Sequence, residues 1–381
     1  MSSFARTDTS ILGQWWWTVD RWIMGAIGVL IVIGTLLTLA ASPPVAERIN
    51  MDSYFFVKKH LMMLPLGLIL LFGVSMVSPT MVKRLSVGLL LFALLLMVLT
   101  LTIGEERNGA QRWLSIAGIS LQPSEFLKPS LIVFAAWMFS EQNRGTGVPG
   151  TLIALFTWAL CVGMLAMQPD FGQAFLLTVV IGAMFFIAGM PMILVLGLVL
   201  AGAVGGVFAY IFVPHVTSRI DRFLDPASGD TFQVTTAINA FLQGGVFGRG
   251  PGEGTVKRIL PDAHTDYIFA VVGEEFGMIA CLLLVALFAF IVLRGLARAF
   301  AAEDHFVQLA TSGLIFLFGL QASINMAVNL NLLPSKGMTL PFISYGGSSL
   351  LALSLTAGMI LALLRKRPGV AIGGAAVGRS P

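Results

Sequence analysis

Apolar runs of about 18 residues or more recur along almost the whole chain, each long enough for a helix to cross a hydrocarbon core roughly 30 Å thick. That recurrence decides the solvent. Of 381 residues, 57% are apolar and 11% charged, which leaves too little polar surface to clothe a water-soluble globule. The expected fold class is an all-α polytopic membrane protein, with ten transmembrane helices near 22–41, 61–78, 85–103, 126–140, 151–168, 172–189, 192–212, 266–293, 307–330 and 347–364. The fourth run is short and carries Pro129 in its first turn, which fits a kinked or partly interfacial helix. Residues 1–21 then form a cytoplasmic N-terminal segment, 22–367 the membrane domain and 368–381 a cytoplasmic tail.

The connection at about 213–265, between the seventh and eighth helices, is too polar to span and too long for a simple turn, so it is a candidate functional loop. Its glycine-rich stretch, Gly244 to Gly254, permits close backbone approach to a ligand but lacks the ending of a nucleotide P-loop. Cys161 and Cys281 lie inside apolar runs, which argues against a disulfide framework or a thiolate metal site. No cleavable signal pattern precedes the first run, and Trp15, Trp16 and Trp17 are expected at a membrane interface. The 23 lysines and arginines divide almost evenly between the two faces, so the positive-inside rule does not orient the chain. With ten spans, Lys83, Arg84, Arg294, Arg298 and Arg365–Arg367 share one side. Arg107, Arg112, Lys128, Arg219, Arg222, Arg249, Lys257, Arg258 and Lys336 share the other, and an anionic ligand there would account for them. Nucleic-acid signatures, sustained heptads and internal repeats are lacking.

Four polar clusters sit at helix ends on that cationic face. In Gln122-Pro123-Ser124-Glu125-Phe126-Leu127-Lys128, the i,i+3 spacing puts Glu125 and Lys128 on one helical face, as a structural ion pair or as a pair that orients substrate. In Pro261-Asp262-Ala263-His264-Thr265-Asp266, Asp266 stands at the start of the eighth helix, where it could cap the helix as an ionised carboxylate or act as a general base. Asp262 and His264 are supporting candidates. Glu274 and Glu275 lie on the order of 12 Å deeper along that helix, where carboxylates are costly unless paired, so a Lys or Arg from another helix is expected beside them. The stretch from Leu333 to Ser349, with Lys336 and Ser344, holds two prolines and three glycines and is expected to be an irregular re-entrant wall of a site.

At these residues the chain resembles the SEDS family (shape, elongation, division and sporulation), membrane proteins that polymerise peptidoglycan glycan strands from lipid II. The resemblance rests on GAQRW with QPSEFLK, on PDAHTDYIFAVVGEEFG and on LLPSKGMTLPFISYGGSS, and spans roughly residues 20–367. The lysine before the glycine in the last motif is closer to the division type than to the elongation type. Two departures are visible: Asp262 stands where glutamate is common, and Phe342 where the division type often has leucine. The resemblance implies a lipid II polymerase of the bacterial inner membrane, active at the septum, with both ends cytoplasmic and the long loop periplasmic. Asp266 matches the family's essential loop aspartate, and Glu125 and Lys128 its charged pair. Arg112, Arg219, Arg222, Lys257, Lys336 and Ser344 are the further substrate-binding candidates. The implied partners are lipid II, the growing undecaprenyl-pyrophosphate-linked glycan, a class B penicillin-binding protein (an FtsI-like transpeptidase) and other divisome proteins. No certain cofactor follows; a divalent cation, magnesium or manganese, is compatible with a pyrophosphate leaving group, and its ligands are unassigned. The competing functions are a flippase for lipid-linked precursors, which would bind at the midplane between repeats, and a non-catalytic divisome scaffold, which would not need Asp266 ionised.

Overall fold

The structure, a computed structural model, describes residues 10–366 apart from 108–109, 117–118, 146 and 226–230. The tail at 368–381, residues 1–9 and Gly109 of the first motif therefore lie outside the described residues. In chain order the helices are α1 (Ile11–Thr18), α2 (Arg21–Arg48), α3 (Phe55–Ser75), α4 (Pro79–Ile103), α5 (Pro123–Asn143), α6 (Gly150–Met167) and α7 (Phe171–Ile187). Then follow α8 (Met192–Phe212), α9 (Pro214–Leu224), α10 (Phe232–Gly244), α11 (Ile268–Phe300), α12 (His305–Asn329) and α13 (Gly347–Leu364). Eight of these, α2, α3, α4, α6, α8, α11, α12 and α13, are long and apolar enough to cross a membrane, and α7 is a shorter apolar helix.

Helix α5 departs from expectation. It runs 21 residues rather than the shorter span anticipated, and it is an interior helix packed between α4, α6, α7, α12 and α13, not an interfacial one. Pro123 starts it, where a missing N–H costs nothing. Pro129 lies within it. Its charged first turn is enclosed along with the rest: Glu125 and Lys128 are 5% and 2% exposed.

The two ends of the bundle are chemically distinct. At one end Asp20 caps α2, accepting from the N–H groups of Trp22 and Ile23, and also takes Arg294 at 3.0 Å and Arg298 at 3.1 Å from the last turns of α11. Trp15 of α1 is buried there and its indole donates to Ser75, so it is a core residue and not an interface anchor. At the other end of α2, about 40 Å away for a helix of this length, Arg48 donates to the carbonyls of Arg258 and Leu260 in the long connection.

That connection is structured. It contains α9, α10 and a 3₁₀ turn at Val256–Arg258. A second unanticipated element is the antiparallel sheet β1 (Glu105–Arg107), β2 (Ala110–Ile116) and β3 (Ile119–Leu121), whose three-residue outer strands are too short to show a period-2 pattern. The glycine run meets protein backbone. Helix α11 breaks at Gly277 (φ 76, ψ −176), and the run closes over the break: Arg249 and Gly250 donate to the carbonyls of Glu274 and Glu275, while Met278 and Ile279 donate to Gly245 and Val246. A Cβ on Gly277 would lie 2.4 Å from the Gly248 nitrogen, and one on Gly244 would lie 1.9 Å from the Gly273 oxygen. Glycine is required here for backbone-to-backbone contact and for positive φ. Gly277→Ala is therefore expected to lower the melting temperature of the detergent-purified protein, with a strain cost of about 1–3 kcal/mol. Gly73→Ala, in open space on α3, is expected to leave melting unchanged or slightly raised.

Candidate active site

A cavity of about 740 Å³ opens at the end of the bundle opposite Asp20, and it collects residues that lie far apart in sequence. Helix α3 gives it Lys59, β2 gives Arg112, α5 gives Glu125, α9 gives Arg219, the loop before α11 gives Asp262, His264 and Asp266, and the segment before α13 gives Lys336. Four cations thus face three carboxylates in one cleft.

Asp266 is not a helix cap. The N-cap position of α11 is Tyr267, which makes no side-chain capping bond, and among the described residues the Asp266 carboxyl takes no hydrogen bond. Burial and the nearby charge of Asp262 push its pKa up to about 7, against a smaller opposing pull from Arg219. It is therefore not the fully ionised group that a capping role implied; it changes charge near neutrality, where a general base is most effective. Asp262 adopts the left-handed conformation (φ 53), tolerable for aspartate, and burial raises its pKa as well. His264 is held down to about 4 by burial and by Arg48, so it is neutral and packs against Phe56 and Tyr345.

The cations keep different degrees of freedom. Arg112 donates to the carbonyls of Gln168 and Pro169 and stands 3.9 Å from Asp170, so it is anchored at the α6–α7 junction while still lining the cavity. Lys336 lies over the Phe175 ring at 4.4 Å, and both it and Arg219 have their pKa lowered first by burial and then by neighbouring cations. An anion arriving between them would relieve that repulsion. Lys59, which sequence reasoning did not single out, stacks on Phe55 at 4.5 Å at the cavity wall.

The remaining expected site residues sit elsewhere. Arg222 lines a smaller adjoining cavity of about 140 Å³ and bonds to Ser218. Lys257 is 4% exposed and donates to Glu275 and to the Ala40 carbonyl, so it ties the long connection to α11 and α2 and does not line the cavity. Glu274 accepts from the N–H groups of Val256 and Lys257, so the partners of both glutamates come from the long connection and not from another helix. Ser344 is likewise structural: its hydroxyl donates to the Thr265 carbonyl and accepts from Leu340 N–H, tying the irregular segment to the Asp266 loop. That segment packs its backbone on α2, where a Cβ on Gly34 would come within 1.9 Å of the Phe342 oxygen.

Lys128 bonds Glu125 at 3.0 Å and Gln321 at 3.0 Å, and Gln173 adds a bond to the same Glu125 oxygen at 3.2 Å. Gln173, Gln321, Asn325 and Asn329 also escaped the sequence reading; the visible signal was three amides at i, i+4 and i+8 in one apolar run. Among the described residues no three His, Cys, Asp or Glu side chains gather in a way that would hold a metal ion.

Fold and cleft together define a polytopic membrane protein with a cation-rich, carboxylate-bearing site at one end of its bundle. The chain belongs to the FtsW/RodA/SpoVE family, described as cell cycle proteins, which residues 21–368 match. It is 49% identical over 368 residues to a probable peptidoglycan glycosyltransferase FtsW of Caulobacter vibrioides, covering 96% of this chain and 94% of that one. It is 35% identical to the protein of the same description from Hydrogenovibrio crunogenus, covering 91% of each. Among solved structures it resembles one described as the structural coordination of polymerization and crosslinking by a peptidoglycan synthase complex (TM-score 0.75, 27% identity, 91% of this chain and 97% of that chain). It also resembles the rod shape determining protein RodA of Thermus thermophilus (TM-score 0.67, 25% identity, 92% and 97%).

The enclosed Glu125–Lys128 pair gives a direct test. Lys128→Met alone leaves a buried charge unpaired and is expected to cost about 3–5 kcal/mol in melting experiments, with activity impaired. The double variant Glu125→Gln with Lys128→Met is expected to recover most of the stability and not the activity.

Proposed function

We propose that this chain is a peptidoglycan glycosyltransferase that polymerises lipid II into glycan strands during septal wall synthesis, with Asp266 as the general base. The observation that carries the reading is the placement of one carboxyl poised near neutrality beside Arg219, Arg112 and Lys336, in a cleft at the end of an apolar bundle. Relatives that share nearly the full length are named for that activity.

The chemistry follows from the substrate. Lipid II carries its sugar on a pyrophosphate, so an acceptor hydroxyl attacks the anomeric carbon while the bond to the pyrophosphate oxygen breaks with its electron pair. Asp266 takes the hydroxyl proton, and Arg219, Lys336 and Arg112 receive the negative charge that develops on the leaving group. Inversion at the anomeric carbon results. A magnesium or manganese ion carried by the pyrophosphate would add positive charge at the same place. The open end of the bundle, not its midplane, holds these groups, which supports an enzyme over a flippase. In this reading the chain crosses the bacterial inner membrane ten times, both ends are cytoplasmic, and the cleft is periplasmic. Its partner is a class B penicillin-binding protein, alongside other divisome proteins; the likeness to a synthase complex supports that pairing.

Asp266→Asn is expected to cut lipid II polymerisation by matched purified protein by about 10²–10⁴-fold. A carboxyl whose pKa rises on folding costs stability progressively as pH climbs from its ordinary value to the raised one, so at pH above about 7 the asparagine protein should melt at or above wild type. The wild-type rate is expected to fall on acidification with a midpoint near 7, as the base is protonated. Robust polymer from the asparagine variant would sink the assignment.

A further inference from the structure

Something other than its own hydrogen bonds must fix Asp266, since its carboxyl has none among the described residues and caps nothing. The answer lies on α12. Gln321, Asn325 and Asn329 are spaced i, i+4 and i+8, share one face, and are 1%, 2% and 0% exposed in an otherwise largely apolar helix. Buried amides are costly unless every hydrogen bond is made, and these converge on the site. Asn325 and Asn329 both donate to the backbone carbonyl of Asp266, at 2.9 and 2.8 Å. Asn325 also donates to the Met338 carbonyl at 2.6 Å, and Asn329 accepts from the N–H of Ala270, one turn into α11. Next to Met338, Gly337 is so close that a Cβ there would lie 3.4 Å from the Asp266 carboxylate.

We propose that Asn325 and Asn329 are positioning residues for Asp266, setting the carboxylate through its own backbone carbonyl and, by way of Met338, against the Lys336–Gly337 backbone. This rests on the reading of Asp266 as the base. A side chain with no hydrogen bond of its own among the described residues goes where its backbone puts it. Here two amides from one helix hold that backbone at the carbonyl, and one of them holds the facing irregular segment at Met338 as well. Gln321, at the other end of the same row, holds Lys128 and Thr339 and does not touch Asp266, so it is a natural control.

The groups that face Asp266 are Asp262 and Tyr267 from its own loop, Arg219 from α9, and Lys336 beside Gly337. Changing Asn325 or Asn329 leaves the identity of all four in place, and only Lys336 is also steadied by Asn325, through Met338. A displacement of the carboxylate therefore registers as a change in how burial and these neighbours set its protonation.

The test is polymerisation of lipid II by the purified full-length protein across a pH series, resolved into kcat and KM, with melting alongside. Asn325→Leu and Asn329→Leu are expected to lower kcat by about 10- to 100-fold, the cost of a misplacement near 1 Å, with KM little changed. The acid-side midpoint should move below that of wild type as Asp266 loses part of its enclosure. Gln321→Leu should leave that midpoint in place. If a leucine variant does not fold, Asn325→Ser and Asn329→Ser shorten the side chain without adding apolar bulk and carry the same expectation. Wild-type kcat in a folded variant, a loss carried by KM, or a kcat loss with an unmoved midpoint would each overturn the proposal. An active Asp266→Asn protein would overturn the base reading and this proposal with it; inactive Asp266→Asn beside fully active asparagine variants would overturn the positioning alone.

Discussion

Hydrocarbon offers no hydrogen bonds, so a charge or amide inside this bundle has to find its partner within the protein. That requirement orders two of the buried charge clusters. Lys128 is usable at 2% exposure because Glu125 and Gln321 both bond it, and Gln173 of α7 donates to the same Glu125 oxygen. Asp20 at the far end is usable because two arginines and two backbone N–H groups surround it. Each of these clusters joins elements that apolar packing alone would leave free to slide, because hydrophobic contact is non-directional and a hydrogen bond is not.

The same requirement explains why the long connection behaves as part of the bundle. Breaking α11 at Gly277 frees carbonyls and N–H groups on either side, and the glycine-rich stretch supplies their partners. Glu274 and Glu275 then bind the 3₁₀ turn from below, through its backbone and through Lys257. The loop is thus fastened at the break and at the turn, and the Asp266 junction that follows it inherits that rigidity.

Much of the fold was legible in the sequence, because a span declares itself by length and hydropathy. The apolar runs gave the long helices, and the i,i+3 spacing of Glu125 and Lys128 gave their contact. What was not legible were partnerships across sequence. Lys257 read as a cation on a cationic face, yet Glu275, 18 residues on, claims it. The glycine run read as a ligand cradle, since nothing in a sequence says whether a close approach is to a ligand or to another strand of backbone. For the cleft, the motif residues Asp266, Arg112 and Lys336 were visible, while the α12 amides were passed over because single polar residues in an apolar run look like tolerated exceptions until their carbonyl partners are known.

At the Asp20 end the chain meets itself. The Lys366 N–H donates to the Thr18 carbonyl, and Arg365 bonds the Thr18 hydroxyl and the Met76 carbonyl. A path that leaves one end of a bundle and returns to that end has traversed it an even number of times, whatever criterion is used to count a span. Eight helices satisfy length and hydropathy together, and admitting α7 alone would make the number odd. An even count that includes α7 needs one more helix, and among the described residues the remaining long one is α5, enclosed by α4, α6, α7, α12 and α13.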